Sequence, residues 1–279
     1  MWGRTWRILG SIALAAGILA VATPADAAAP TYYLALGDSL ARGVGAPSGQ
    51  GYVDDIYAFE QQTQPGLQLV NLACSGETTG TMINGGICSY TSGSQLGDAE
   101  AFLAAHPGEV SFVTIDIGGN DLAGCFFSIP IDASCVKSQL PGATARLAAI
   151  LSGLRTAGGT VPIAGLEYYD PFLSYWLQGG AGQTAAHDSV KQLKIGNSAL
   201  KKAYKKAKAG VADDMKAFEI TKFAQKGTWL GQPVPVNVQQ ACNLTNMCTV
   251  NDFHADAAGH SLTATAFEPV LAKLLKKSG

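Results

Sequence analysis

Residues 34–40 read Leu-Ala-Leu-Gly-Asp-Ser-Leu, a stretch that predicts the end of a buried strand, a tight turn and an exposed serine. Aromatic and aliphatic residues from Tyr32 to Leu36 favour a strand, and Gly37 and Asp38 are turn formers. Ser39 is therefore expected where a parallel strand ends and a helix begins, a position that often carries reactive groups in open α/β sheets. The alternative is that Ser39 only caps the helix that follows.

Two further predicted strands also run into small and polar residues. Leu67–Leu72 is followed by a turn that contains Gly76, and Val110–Ile117 runs directly into Gly118-Gly-Asn-Asp121. Predicted helices alternate with the strands along the chain. These helices cover Tyr52–Gln62, Gln95–His106, Val136–Ala157 and Thr184–Ala209, and further strands are expected at Thr160–Leu166 and Val211–Phe218. Strand–helix alternation predicts an α/β fold with a mainly parallel sheet, whose strand ends share one edge.

Composition favours a compact globular chain and gives no sign of a nucleic-acid partner. The chain has 279 residues, of which 47% are hydrophobic, enough for one substantial core. The formal net charge is −2, and the isoelectric point near 6.1 provides no basic field for nucleic acid. Internal repeats and long linkers do not occur in the sequence, so one domain is expected.

The amino-terminal segment has the features of a secretory signal peptide. Two arginines among the first seven residues precede an apolar run, Ile8–Ala22, which is too short for a membrane span. Ala25-Asp-Ala27 is a small-residue cleavage site. These features predict a signal peptide over residues 1–27 and a secreted, extracellular domain over residues 28–279, with an uncleaved membrane anchor as the alternative.

Six cysteines lie in the predicted mature domain, and an even number in an exported chain indicates disulfides. Sequence alone permits 15 connectivities. Closeness in the chain favours pairing Cys74 with Cys88, Cys125 with Cys135, and Cys242 with Cys248. A Cys-x-x-Cys motif is missing from the sequence, which gives no support to a zinc ribbon or a thioredoxin-type site.

The carboxyl-terminal part contains two histidines in different predicted settings. Asp256 is expected to cap a helix that begins near Ala257, and Pro269 is expected to break or kink that helix. His254 lies in the loop before the helix, where a histidine can reach a neighbouring serine. His260 lies inside the helix and is interpreted as a packing residue.

These residues together supply what a serine nucleophile needs. A serine hydroxyl requires an adjacent base, the base requires an orienting acceptor, and the tetrahedral intermediate requires hydrogen-bond donors. Ser39 and His254 are the candidate nucleophile and base, and Asp252 or Asn251 is the candidate acceptor. The candidate donors are the Ser39 and Gly76 N–H groups and the Asn120 amide. Asp38 and Asp121 are interpreted as structural turn residues.

In the same order along the chain, Gly37-Asp-Ser-Leu40, Gly76, Gly118-Gly-Asn-Asp121 and His254 resemble the four sequence blocks of the GDSL, or SGNH, hydrolases. The resemblance implies a three-layer α/β/α sandwich of the flavodoxin-like type and ester cleavage through a serine acyl-enzyme. It implies that Ser39 is the nucleophile, His254 the general base, and Ser39, Gly76 and Asn120 the oxyanion hole. The combination of a predicted signal peptide and six cysteines is similar to that of secreted actinobacterial lipases and esterases, in which three sequential disulfides are usual.

One departure from the family pattern concerns the third catalytic residue. The family's usual aspartate lies three residues before the histidine, where this chain has Asn251, and Asp252 lies only two residues before it. Some secreted members are similar in orienting the histidine with a backbone carbonyl. Asp252 is therefore expected to complete the triad, with the Asn251 carbonyl as the competing acceptor.

The resulting prediction is a secreted, monomeric serine ester hydrolase that needs no metal or other cofactor. Its partner would be a small-molecule or lipid ester, without stable membrane insertion after signal cleavage. A glycine-rich segment, Gly43–Gly51, is expected to form a flexible loop beside Ser39. That loop and the aromatic segment Tyr168–Trp176 favour acyl chains over sugars.

Two alternatives of other kinds also fit the sequence. A metal-dependent hydrolase could use Asp252, His254, Asp256 and His260, although their spacing matches no recognised ligand set. A secreted, non-catalytic binding module could instead contact lipid or cell-wall glycan through the aromatic segment Tyr168–Trp176.

Overall fold

The computed structural model describes residues 1–3 and 31–276, and its central feature is a parallel sheet. The predicted signal peptide lies outside the described residues apart from its first three. The strands are β1 (Thr31–Gly37), β2 (Leu67–Asn71), β3 (Val110–Asp116), β4 (Ile163–Glu167) and β5 (Gly210–Asp213). They pair in parallel in the order β2-β1-β3-β4-β5. The prediction of a mainly parallel sheet is confirmed.

Ten α-helices are seen among the described residues. They are α1 (Tyr52–Glu60), α2 (Thr79–Asn84), α3 (Gln95–Ala105), α4 (Gly119–Ala123), α5 (Ala133–Gly158), α6 (Gly180–Lys206), α7 (Asp214–Ala217), α8 (Val236–Leu244), α9 (Met247–Val250) and α10 (Ala257–Leu275). Two 3₁₀ helices, Gly124–Phe126 and Pro171–Gln178, and an antiparallel hairpin of β6 (Lys226–Trp229) and β7 (Gln232–Pro235) complete the described structure.

Helices cover both faces of the sheet because alternate strand residues point to opposite sides and are apolar on both. Tyr33 and Phe112 pack in a core that α1 and α10 close. Leu34 and Ile115 pack on the other side, in a core that α3 and α5 close. The result is the predicted three-layer α/β/α sandwich.

The strand order creates a crevice beside β1. From β1 the chain passes to β2 on one side and then to β3 on the other. Ligands in open α/β sheets bind where the strand order reverses in this way, outside the carboxyl ends of the strands. Ser39 follows β1 and Asn120 follows β3, so both lie at this crevice.

Two local predictions are wrong: the break of the last helix at Pro269 and the extent of the fifth strand, while a kink at Pro269 stays a prediction. Helix α10 continues through Pro269 instead of breaking there, with Phe267 and Leu271 buried on either side. Their burial offsets the hydrogen bond that a proline cannot donate. The predicted strand Val211–Phe218 ends at Asp213, whose carboxylate accepts the Lys216 N–H and caps α7.

Three disulfides join Cys74 to Cys88, Cys125 to Cys135, and Cys242 to Cys248. The sequential pairing favoured by the sequence is confirmed. Each disulfide closes a short segment near the carboxyl edge of the sheet rather than joining distant elements.

Among the helices described, none combines the length and apolar character required to cross a membrane.

Candidate active site

Ser39 lies in a tight turn directly after β1. The Gly37 N–H donates to Gln95 Oε1 at 2.7 Å, and the Leu40 N–H donates to Asp38 Oδ1 at 3.0 Å. Gly37 has a φ of 141°, and a Cβ at this position would lie 2.4 Å from Asp116 Oδ1. Only glycine therefore allows the turn to approach β3 so closely.

A buried carboxyl group that the sequence analysis did not single out lies under this turn. Asp116 is fully buried at the end of β3 and accepts a hydrogen bond from the Tyr52 hydroxyl at 2.5 Å. Burial, followed by the nearby charge of Asp38, holds the pKa of Asp116 well above its usual range. Burial also raises the pKa of Asp38. The sequence feature that could have revealed Asp116 is a lone aspartate inside an apolar strand. A buried aspartate is rare unless its carboxyl group has partners.

His254 reaches Ser39 from the loop between α9 and α10. Its Nε2 lies 2.8 Å from Ser39 Oγ, and its Nδ1 lies 2.5 Å from Asp252 Oδ1. The same carboxylate oxygen accepts the His254 backbone N–H at 3.1 Å. Of the two acceptors considered from the sequence, Asp252 therefore contacts the ring, and within residues 31–276 the Asn251 carbonyl makes no hydrogen bond to it.

Asn120 lies on the other side of Ser39, in the first turn of α4. One hydrogen of its amide is donated to the Glu77 carbonyl at 2.9 Å, which leaves the second hydrogen for another acceptor. Gly76 precedes Glu77 with a φ of 84° and does not line the cavity, whereas Ser39 and Asn120 do. In the described part of the chain, the N–H groups of Ser39 and Gly76 have no hydrogen-bond partner.

Asp121 acts as a structural link beside these donors. Its carboxylate accepts the Thr79 N–H at 2.8 Å and the Thr79 hydroxyl at 2.6 Å, and it pairs with Arg146 at 2.8 Å. These bonds join the start of α2 to α4 and α5. The interpretation of Asp121 as a structural residue agrees with this geometry.

A cavity of about 110 Å³ opens beside Ser39 and His254. Its walls are mainly aliphatic and aromatic, and they include Leu122, Phe126, Tyr168, Phe172, Leu193 and Phe253. The predicted aromatic segment contributes to this wall through Tyr168, Tyr169 and Phe172, whereas Leu173 is buried in the core. Asp170 caps the 3₁₀ helix of that segment by accepting the Phe172 N–H at 3.0 Å.

A sequence model of the GDSL-like lipase/acylhydrolase family matches residues 35–262. The chain belongs to this family. It is therefore a carboxylic ester hydrolase of the esterase and lipase type.

Solved structures of lipases and a phospholipase share the fold of this GDSL-like hydrolase. The lipase Lip_vut3 from a goat rumen metagenome is 18% identical with a TM-score of 0.57, over 86% of this chain and 97% of that one. Phospholipase A1 from Streptomyces albidoflavus NA297 is 20% identical with a TM-score of 0.54. An extracellular lipase from Streptomyces rimosus is 21% identical with a TM-score of 0.52. Each of these two similarities covers 88% of this chain and 99% of the other. A comparison with curated protein sequences gave no match.

Hydrogen bonds hold part of the glycine-rich segment Gly43–Gly51 of this GDSL-like hydrolase, whose predicted flexibility stays a prediction. The Gly45 carbonyl accepts a hydrogen bond from Asn246 Nδ2 at 2.9 Å, and His260 Nε2 lies 3.0 Å from the Val44 carbonyl. These contacts attach the segment to Asn246, which precedes α9, and to α10, the two elements that flank the loop carrying His254. Gly45 also lies close to His254 and Ala255, a proximity that sequence spacing does not reveal.

Each of the four residues of the alternative metal site has another partner, since Asp252 and His254 contact each other and Asp256 and His260 contact backbone groups. Asp256 caps α10 through the Gly259 N–H, and both ring nitrogens of His260 contact backbone groups, of Tyr52 and Val44. Burial lowers the pKa of His260, which agrees with its interpretation as a packing residue. Within the residues that the structure covers, no three His, Cys, Asp or Glu side chains are grouped as metal ligands.

Proposed function

We propose that this GDSL-like hydrolase is a secreted serine esterase or lipase that cleaves acyl esters through a Ser39 acyl-enzyme. The observation that carries the proposal is the continuous contact from Ser39 Oγ to His254 Nε2 and from His254 Nδ1 to Asp252, beside an apolar cavity. A nucleophile within hydrogen-bond reach of a base, and a base oriented by a third group, are the requirements of nucleophilic catalysis.

In the first half of the reaction, neutral His254 accepts the Ser39 hydroxyl proton while Ser39 Oγ attacks the ester carbonyl carbon. Asp252 stabilises the imidazolium through the proton on Nδ1. The Ser39 and Gly76 N–H groups and the free amide hydrogen of Asn120 are the proposed donors to the oxyanion. Collapse of the intermediate breaks the bond to the alcohol oxygen, which takes the proton from His254.

In the second half, His254 removes a proton from water, and the resulting hydroxide attacks the acyl-enzyme. Collapse returns the proton to Ser39 Oγ and releases the carboxylic acid. Every proton transfer in both halves uses His254, and apart from the ester and one water molecule the steps use groups of this chain.

The substrate class follows from the wall of the cavity. Aliphatic and aromatic side chains beside Ser39 suit an acyl chain better than a sugar. Secretion is supported by the features of residues 1–27 and by three disulfides, which persist in oxidising compartments. We propose that the mature enzyme acts as a monomer.

The test is initial-rate hydrolysis of p-nitrophenyl esters from acetate to palmitate. Ser39→Ala and His254→Ala should each lower kcat by roughly 10⁴-fold or more, and Asn120→Ala should lower it about 100-fold. Ser138→Ala, which changes an exposed serine on α5, is the matched control and should retain the wild-type rate. Thermal melting establishes that each variant is folded.

A chelator is added in a parallel series. Full activity of Ser39→Ala together with loss of activity in chelator would contradict the serine mechanism. Wild-type protein that is inactive on every ester, yet binds lipid or glycan, would favour the binding-module alternative.

A further inference from the structure

Four exposed apolar side chains lie within or directly after the three segments that the disulfides close. Ile87 precedes Cys88, Phe127 and Ile129 lie between Cys125 and Cys135, and Val250 follows Cys248 by two residues. Their exposed fractions are 46% for Ile87, 55% for Phe127, 38% for Ile129 and 71% for Val250. We call these four residues the apolar rim.

The Phe127 side of the rim is continuous with the cavity wall. The Phe127 ring centroid lies 5.6 Å from that of Phe172 and 5.9 Å from that of Phe253, and both partners line the cavity. The Phe253 ring in turn lies 4.4 Å from the His254 ring. An apolar surface therefore extends from the proposed general base to the exposed Phe127.

Two further rim residues, Val250 and Ile87, also lie near Ser39 and His254. Val250 ends α9, whose Met247 packs against the cluster that contains Phe126 and Phe172. Ile87 lies beside the proposed oxyanion donors, because its Cδ1 is 3.9 Å from the position of a Cβ added to Gly76. The rim thus has members both on the His254 side and on the Gly76 side of Ser39.

Charge restricts what the rim can contact. None of the three disulfide-closed segments contains lysine or arginine, and the Cys125–Cys135 segment carries the exposed Asp132, with one exposed lysine, Lys137, two residues after Cys135. An anionic surface would find no cationic partner on these segments. A protein bound over the rim would also cover the opening beside Ser39. An uncharged or zwitterionic lipid surface needs no cationic partner on these segments. Such a surface can cover the opening beside Ser39 without excluding the substrate, because the surface is itself the source of the acyl chain.

We propose that the apolar rim docks the enzyme on the surface of aggregated, uncharged or zwitterionic lipid esters. The proposal rests on the proposed function, since the docked lipid is the substrate of Ser39. Docking removes the rim side chains from water, and an acyl chain can then enter the cavity without first crossing water. The disulfides restrict the segments that carry the rim, which lowers the ordering cost of contact.

The binding test uses Ser39→Ala protein, so that lipid is not hydrolysed, and phosphatidylcholine vesicles. Cosedimentation should detect binding by this protein, and adding Ile87→Ser, Phe127→Ser and Val250→Ser should weaken the binding at least tenfold. The matched controls are Phe59→Ser and Leu230→Ser, which remove exposed apolar side chains at the end of α1 and at the tip of the β6–β7 hairpin. They should bind as the parent does.

Raising the salt concentration should leave the binding unchanged, because apolar contact is not screened. The proposal would be overturned if the Ser39→Ala parent did not bind the vesicles. It would also be overturned if the two control variants lost as much vesicle binding as the rim variant, or if binding fell as the salt concentration rose.

A kinetic test on the active enzyme separates docking from catalysis. The triple rim variant should hydrolyse dissolved p-nitrophenyl acetate within about twofold of the wild-type kcat/KM, and emulsified p-nitrophenyl palmitate at least tenfold more slowly. A parallel loss on both substrates would contradict the docking role. Wild-type protein that is inactive on dissolved ester would refute the proposed function, while vesicle binding remains measurable independently.

Discussion

Asp252 approaches His254 although it lies two residues before the histidine, not three. The preceding Asn251 adopts a left-handed conformation with a φ of 57°, which ends α9 and turns the chain back. The Asp252 carboxylate can then contact the backbone N–H and the ring Nδ1 of His254 together. A change of backbone direction thus compensates for the shifted position of the carboxylate.

Replacing Asp252 by asparagine tests this assignment. Asp252→Asn should lower kcat/KM by roughly 10²- to 10⁴-fold, because an amide cannot stabilise the imidazolium and can favour the wrong tautomer. Asn251→Gly is the matched control, since glycine adopts the same positive φ without cost, and its rate should stay within about twofold of wild type. An unchanged rate for Asp252→Asn in p-nitrophenyl ester assays would instead assign the orienting role to a backbone carbonyl.

The glycine-rich segment and the His254 loop form one interlocked element of the site. A Cβ on Gly45 would lie 2.2 Å from the Ala255 carbonyl oxygen and 2.7 Å from His254 Cβ. Gly45 also has a φ of 99°, whereas Gly49, in the same segment, has a φ of 78° and nothing within 4 Å of an added Cβ. Comparing alanine variants at these two glycines therefore distinguishes the effect of backbone strain from the effect of contact with His254.

Gly45→Ala should destabilise the protein by about 2–4 kcal/mol and lower kcat at least tenfold, because the new methyl group displaces His254. Gly49→Ala introduces only the strain of a positive φ, which should lower the free energy of unfolding by about 1 kcal/mol, and should retain kcat. Urea unfolding and ester kinetics on both variants provide the measurement. Equal losses of kcat in Gly45→Ala and Gly49→Ala would show that contact with the His254 loop does not cause the loss of activity.

At the level of the whole molecule, buried carboxyl groups link stability to pH. Burial raises the pKa of Asp170 to about 7 and that of Asp214 to about 8. In the unfolded chain an aspartate has a pKa of about 4. The native state therefore holds more protons than the unfolded state between about pH 4 and pH 8, so the free energy of unfolding falls as the pH rises through that window.

Asp214→Asn should reduce this dependence on pH. The side chain is fully buried and accepts one hydrogen bond from Thr263 at 2.7 Å, so ionisation at high pH is costly. The decrease in Tm between pH 5 and pH 8 should be smaller in the variant than in wild type, by about 5 °C. Asp188→Asn on α6, which changes a partly exposed aspartate, is the control and should follow wild type. Equal decreases in Tm for Asp214→Asn and wild type would contradict the assignment.

Local sequence patterns were sufficient to predict the main elements of this fold. Runs of β-branched and aromatic residues predicted the first four strands, and the turn around Gly37 predicted where β1 ends. Closeness of the cysteines in the chain predicted the three disulfides. The positions of Ser39, Asn120 and His254 also follow from motifs at the ends of elements, because parallel strands bring those ends to one edge.

Contacts between residues distant in the chain depend on packing, which local patterns do not specify. The choice of Asp252 over the Asn251 carbonyl depends on the left-handed turn at Asn251, and the carboxyl group under Ser39 comes from Asp116 in another strand. Helix α10 passes through Pro269 because burial of its neighbours offsets a local preference. Sequence thus determined the main strands and helices and their succession along the chain, while the tertiary structure determined which polar groups come into contact, since such contacts depend on distances between elements.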